Sequence, residues 1–121
     1  MEAYIILALV LALLQIWIIP MMLNYKNMDY LLTNRDKAID VSVIVERSRR
    51  AYANLQESLG AFLALALLSM ILEVDATNAA CWWLIFRVIH GASYLAGISY
   101  VRTLAWFGAL GSLIAMAIQL I

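Results

Sequence analysis

Four long apolar runs dominate the sequence and constrain its fold more than any other feature. They cover approximately residues 3–23, 54–72, 79–100 and 104–121. An α-helix rises about 1.5 Å per residue, so a run of about 20 residues crosses a hydrocarbon core of about 30 Å. Helices also pair their own backbone amides, which are costly to leave unpaired in lipid. The sequence therefore predicts an all-α integral membrane protein, a bundle of four transmembrane helices within one domain covering residues 1–121.

The composition supports a membrane location and argues against several kinds of site. Hydrophobic residues make up 66% of the chain and charged residues only 13%, whereas soluble domains carry about 25% charged residues. The formal net charge is zero, so the broad basic surface that nucleic acids require is not expected. Cys81 is the single cysteine and His90 the single histidine. We therefore expect neither an internal disulfide nor a metal site.

Charge in the connecting segments predicts the orientation in the membrane. Six basic residues lie between the first two runs: Lys26, Arg35, Lys37, Arg47, Arg49 and Arg50. The turn after the second run offers only Glu73 and Asp75. Because basic residues favour the cytoplasm, this loop and the turn around Arg102 are expected there, with both termini outside. Within the loop, residues 34–36 resemble a turn, and a helix is expected from Val41 onward.

Two sets of polar residues lie inside or at the cytoplasmic end of the predicted spans, where ionisable groups are expensive and usually mark function. The first set lies at the cytoplasmic end of the second span and the second set within the third: Arg50, Asn54 and Glu57, then Arg87, His90 and Tyr94. Spacings of three and four place each set on one helical face. Arg102 follows at the start of the fourth run. Together these groups suit a small zwitterionic ligand, because arginine pairs with carboxylates and Glu57 can bind an ammonium group.

Structural explanations exist for several of these polar and small residues. Arg50 is also explained as an anchor at the membrane surface, Glu57 as the partner of a neighbouring arginine, and His90 as a packing residue. The fourth run carries small residues at helical spacing: Gly108, Gly111, Ser112 and Ala115. Such residues allow close helix packing, either within one subunit or between subunits. The residues alone leave both alternatives open.

Two motifs carry a family resemblance. Residues 45–57, VERSRRAYANLQE, resemble the signature of the MAPEG family, the membrane-associated proteins of eicosanoid and glutathione metabolism. The core of that motif is Arg50, Ala51, Asn54 and Glu57. The second motif is RVIH at residues 87–90, followed by Tyr94 and Arg102. It resembles the third and fourth spans of prostaglandin E synthases and microsomal glutathione transferases, which are members of this family, and of their bacterial relatives. The likeness covers nearly the whole chain.

The resemblance implies a homotrimer that binds glutathione as co-substrate at the subunit interfaces, near the cytoplasmic side. By the same resemblance the glutathione contacts are Arg50, Asn54, Glu57, Arg87, His90 and Tyr94. Arg102 is then the catalytic residue that holds the thiol as thiolate. Ala53, Ser58 and Trp106 depart from the eicosanoid-synthase patterns, so eicosanoid specificity is not expected.

The implied function is a detoxifying membrane transferase or peroxidase that brings glutathione to lipophilic electrophiles arriving from the lipid. One alternative is a non-catalytic, lipid-binding member of the same family, which has no need of a thiolate-stabilising arginine. Another is a small multidrug transporter. Such transporters place an essential acid in the first span, where this chain has only Gln15.

Overall fold

The computed structural model describes residues 1–23 and 43–121, and these residues form four helices. The first, α1, consists of the α-helix Glu2–Leu13, a π-helical turn Leu14–Ile18 and the α-helix Ile19–Leu23. The others are α2 (Val43–Ile71), α3 (Thr77–Ala96) and α4 (Ser99–Leu120). The described residues contain no strand, so the all-α fold class is confirmed. The turn expected at residues 34–36 and the helix start expected near Val41 lie outside the described residues.

Two of these helices, α2 and α4, are long and apolar enough to cross a membrane by length and composition. The π-helical turn of α1 ends at Ile18, two residues before Pro20. Proline has no backbone N–H to donate to the preceding turn, and a widened turn is one way in which a helix adapts to that loss. The helix therefore continues beyond the turn to Leu23.

The ends of α2 and α3 are closed by the same hydrogen-bonding pattern. After α2, the amide of Val74 donates to the carbonyl of Ser69 at 2.9 Å, and Glu73 adopts a positive φ of 55°. After α3, the amide of Ile98 donates to the carbonyl of Ser93 at 2.9 Å, and Gly97 has a φ of 76°. This Schellman arrangement pairs carbonyls that a helix end would leave free. After α3, this arrangement lets the chain reverse direction and begin α4 after only two residues.

The core lies between α1, α2, α3 and α4 and is built around an aromatic stack. The rings of Phe62 and Trp83 lie 4.0 Å apart, inclined by 8°, and both side chains are fully buried. On α4, a Cβ added at Gly108 would lie 2.7 Å from the ring of Phe86, whereas one at Gly111 would meet none of the described residues within 4 Å. Gly108 therefore serves packing between α4 and α3, and the described residues leave the face at Gly111 open.

Candidate functional site

A buried arginine and an asparagine join α2 to α3. Arg87 is only 2% exposed, and its two Nη atoms both donate to Oδ1 of Asn54 at 3.0 Å. Its Nε has no hydrogen-bond partner within residues 1–23 and 43–121. Within the part of the chain that the structure describes, the guanidinium thus meets a neutral amide and no carboxylate at hydrogen-bonding distance.

An open cleft of about 280 Å³ lies beside this pair, between α2, α3 and α4. Asn54, Glu57, Arg87 and Trp106 line it together with apolar residues. Glu57 is exposed and lies within electrostatic range of Arg87. The cleft therefore offers a carboxylate, an amide and an arginine on one wall, and an indole from α4 on another.

A second group connects the end of α3 to the start of α4. The rings of His90 and Tyr94 meet edge to face, with centroids 5.6 Å apart. The guanidinium carbon of Arg102 lies 4.7 Å from the centroid of the Tyr94 ring. A cation over an aromatic face is attracted by the ring quadrupole, so Tyr94 holds the Arg102 side chain in place.

His90 links the two groups, because it lies within electrostatic range of both Arg87 and Arg102. Six of the seven predicted site residues therefore form one continuous cluster across three helices: Asn54, Glu57, Arg87, His90, Tyr94 and Arg102. Each lies on a helix whose sequence spacing aims it inward or toward the cleft. The cluster combines cations, a carboxylate, an amide, an imidazole and a phenol.

Arg50 is the predicted site residue that the subunit does not bring into the cluster. Its side chain is 64% exposed, and its Nη2 lies 3.8 Å from a carboxylate oxygen of Glu46, one helical turn earlier. An exposed pair at this distance is worth about 0–1 kcal/mol. Arg50 is thus free to leave Glu46 for another anion.

One residue next to the site was not predicted from the sequence as a site residue. Arg47 packs against the turn between α3 and α4: a Cβ added at Gly97 would lie 2.8 Å from its Nη1. Its guanidinium is thus near the carbonyl end of α3, where the helix dipole favours a cation. The positive φ of Gly97 was the available signal, but no local pattern connects a residue on α2 with that turn.

Comparison with known proteins gives one match. The model of the MAPEG family matches residues 2–121, which is nearly the whole chain. No curated protein and no solved structure matches the chain.

Proposed function

The chain belongs to the MAPEG family, and from that premise we propose that it is a glutathione-dependent membrane transferase that holds the glutathione thiol as thiolate. The resemblance inferred from its two motifs is confirmed. Membership in this family supports a membrane protein with a transferase function that involves glutathione, or with a function related to it. One observation carries the more specific proposal of thiolate stabilisation: Arg102 lies over the Tyr94 ring, at the end of the polar cluster. Such a cluster is costly inside a membrane helix bundle and usually marks a function.

Arg102 is the proposed catalytic residue. A free thiol has a pKa of about 8.5, and a cation close to it lowers that pKa by roughly one to three units. The guanidinium carbon lies 4.7 Å from the centroid of the Tyr94 ring, and guanidinium N–H groups can donate to a thiolate sulfur while the ring attracts the cation. With the thiol ionised at neutral pH, the sulfur is a nucleophile without a separate general base.

The rest of the cluster is proposed to bind the ends of glutathione. Glu57, exposed at the edge of the cleft, accepts the ammonium group of the γ-glutamyl end. Arg87 polarises Asn54 through two hydrogen bonds to one oxygen, so that the Asn54 amide donates more strongly to a ligand carbonyl or carboxylate. His90 and Tyr94 complete the wall between the two arginines.

The proposed reaction brings a water-soluble nucleophile to a membrane-soluble electrophile. The thiolate sulfur attacks an electrophilic carbon, a C–S bond forms, and the leaving group departs with its electron pair. Trp106 is 38% exposed and lines the cleft, where its indole can pack against an apolar substrate that enters from the lipid. With a hydroperoxide the same thiolate attacks the terminal oxygen, the O–O bond breaks and the alcohol leaves with a proton. A second glutathione then reacts with the glutathione sulfenic acid that has formed, which gives glutathione disulfide and water.

The exposed position of Arg50 supports a homotrimer as the functional oligomer. Arg50 lies outside the subunit's own cluster and is exposed, so we propose that it binds glutathione across a subunit interface. Gly111, which opens onto empty space on α4, offers a surface for the same contact. The proposed setting is a bacterial inner membrane with the cluster on its cytoplasmic side and both termini outside.

Calorimetric titration of the detergent-purified protein with glutathione tests this function. Glu57→Gln is expected to weaken glutathione binding by about tenfold or more, because the ammonium group of the ligand loses its countercharge. Turnover of chlorodinitrobenzene at saturating glutathione should survive in this variant, since Glu57 acts on occupancy. Glu73→Gln is the matched control, because Glu73 is also an exposed carboxylate but lies just beyond the other end of α2, away from the cluster, and this variant should bind glutathione as the wild type does.

Two results would contradict the proposal. Equal affinities in Glu57→Gln and the wild type would remove Glu57 from the site. A wild type that binds no glutathione at millimolar concentrations would favour the non-catalytic, lipid-binding member of the family.

A further inference from the structure

A second pocket lies between α1, α2 and α3, whereas the cleft of the candidate site lies between α2, α3 and α4. It has a volume of about 190 Å³. Its walls come mostly from apolar side chains, among them Leu11, Leu14, Val88 and Leu95. Among residues 1–23 and 43–121, no charged residue lines it. Its position and its lining both separate it from the proposed glutathione site.

A buried glutamine faces this pocket. Gln15 lies in the π-helical turn of α1, is 6% exposed and lines the pocket. Its Oε1 has no hydrogen-bond partner among the described residues. A buried amide oxygen without a partner costs about 1–3 kcal/mol. π-Helical turns inside α-helices are also frequent at functional sites.

The packing around Gln15 shows that the site is built to hold this side chain. A Cβ added at Gly91 would lie 2.6 Å from Nε2 of Gln15, so any larger residue on α3 would displace the amide. Ser48 is the other polar residue of the lining, and its hydroxyl already donates to the carbonyl of Val45 at 2.7 Å. The Gln15 amide is therefore the unsatisfied polar group that a ligand would find.

We propose that this pocket binds a small, uncharged, largely apolar molecule that carries one hydrogen-bond donor. An apolar cavity of about 150 Å³ accommodates a benzene ring, so about 190 Å³ holds a ring with one hydroxyl substituent. The ligand's donor reaches Oε1 after a small rotation of the terminal amide, whose last torsion is soft. Val88 is 49% exposed, and a ligand dissolved in the bilayer enters on that side.

Binding of two fluorinated probes of matched size tests the proposal. 4-Fluorophenol carries a hydroxyl donor and 4-fluorotoluene does not. Their saturable binding to the purified protein is measured by ligand-observed ¹⁹F NMR, with empty micelles as the baseline for partitioning. Wild-type protein is expected to bind the phenol about fivefold more tightly than the toluene, the scale of one neutral hydrogen bond.

Two variants and a control locate the site. Gln15→Leu should reduce the preference for the phenol to less than twofold. Ala92→Leu should weaken both probes by at least tenfold, because Ala92 lines the pocket from its exposed side. Ala96→Leu places the same side chain one turn later on α3, outside the lining, and should leave both affinities unchanged.

The contrary results are equally definite. Absence of saturable binding of either probe to the wild type would overturn the proposal. So would equal affinities of the wild type for the two probes, or a preference for the phenol that persists in Gln15→Leu.

Discussion

The two Nη atoms of Arg87 share a single acceptor, Oδ1 of Asn54, at 3.0 Å each. This arrangement ties α3 to α2 at the edge of the polar cleft and orients the Asn54 amide. A buried cation paired with a neutral amide is also a source of positive potential at the proposed binding site. The pair therefore has both a structural and an electrostatic effect, and each can be measured.

Removal of one partner of this pair should be costly. Asn54→Ala leaves a buried guanidinium without its acceptor, and we expect a loss of about 2–3 kcal/mol in the free energy of unfolding. Arg87→Met should cost less, because a methionine fills the space without an unpaired charge. A double-mutant cycle by reversible unfolding in mixed micelles should give a coupling of about 1.5–3 kcal/mol. Additive effects of the two changes would show that the hydrogen bonds contribute nothing to stability.

Two glycines on α4 should respond differently to the same substitution. Gly108→Ala places a methyl group 2.7 Å from the Phe86 ring, and overpacking of this kind costs about 1–3 kcal/mol. Gly111→Ala meets nothing in the subunit and should leave the stability of the subunit unchanged or slightly raised, since alanine favours helix. Unfolding measurements on both variants check this. Equal destabilisation would contradict the packing described for Gly108.

The same face gives a test of assembly. Gly111→Leu projects a larger side chain from an open surface of α4, so it should dissociate the proposed trimer while each subunit stays folded. Mass measurement in detergent with circular dichroism reports both. A trimer that survives this change would exclude Gly111 from the subunit contact, and a wild type that is a clean monomer or dimer would contradict the trimer itself.

Asp75, in the segment between α2 and α3, should show a depressed pKa. Its Oδ1 accepts from the hydroxyl and the amide of Thr77, at 2.6 and 3.0 Å, and these hydrogen bonds lower the pKa of the carboxyl. A carboxyl whose pKa is lower in the folded state contributes stability above its unfolded pKa and loses it as the pH falls through the folded pKa. Thr77→Val should move the Asp75 pKa, followed by NMR, toward the ordinary value of about 3.9. An unchanged pKa would show that the hydroxyl has no role.

The orientation in the membrane can be tested with single cysteines in a Cys81→Ala background. Asn78 is exposed in the first turn of α3. Tyr100 is exposed in the first turn of α4, close to the other end of α3. A cysteine at 78 should react with an impermeant maleimide added outside intact cells, whereas one at 100 should react only after lysis. The reverse pattern would place the polar cluster on the outer side.

The sequence was sufficient for the fold class and the family, because long apolar runs and two spaced motifs are local signals. It also predicted most members of the cluster, since spacings of three and four place Arg87, His90 and Tyr94 on one face wherever the helix packs. The position of Arg50 was not predictable in the same way. Its spacing from Asn54 suits the cluster, yet its side chain is exposed beside Glu46.

Contacts between distant segments account for what the sequence did not show. The unsatisfied amide of Gln15 depends on the π-helical turn and on Gly91, 76 positions away along the chain. The contact of Arg47 with Gly97 joins α2 to a turn 50 positions later. No periodicity within a single helix encodes either contact, because each depends on how the helices are placed in three dimensions.

The ultraviolet absorbance of bound thiolate tests the central claim most directly. Wild-type protein titrated with glutathione at neutral pH should develop ultraviolet thiolate absorbance that S-methylglutathione does not produce. Arg102→Leu should bind glutathione within about tenfold of the wild type but lose this absorbance, and its turnover should fall by about a hundredfold or more. Arg49→Leu, which removes an exposed arginine outside the cluster, should keep both. Full thiolate absorbance in Arg102→Leu would contradict the account.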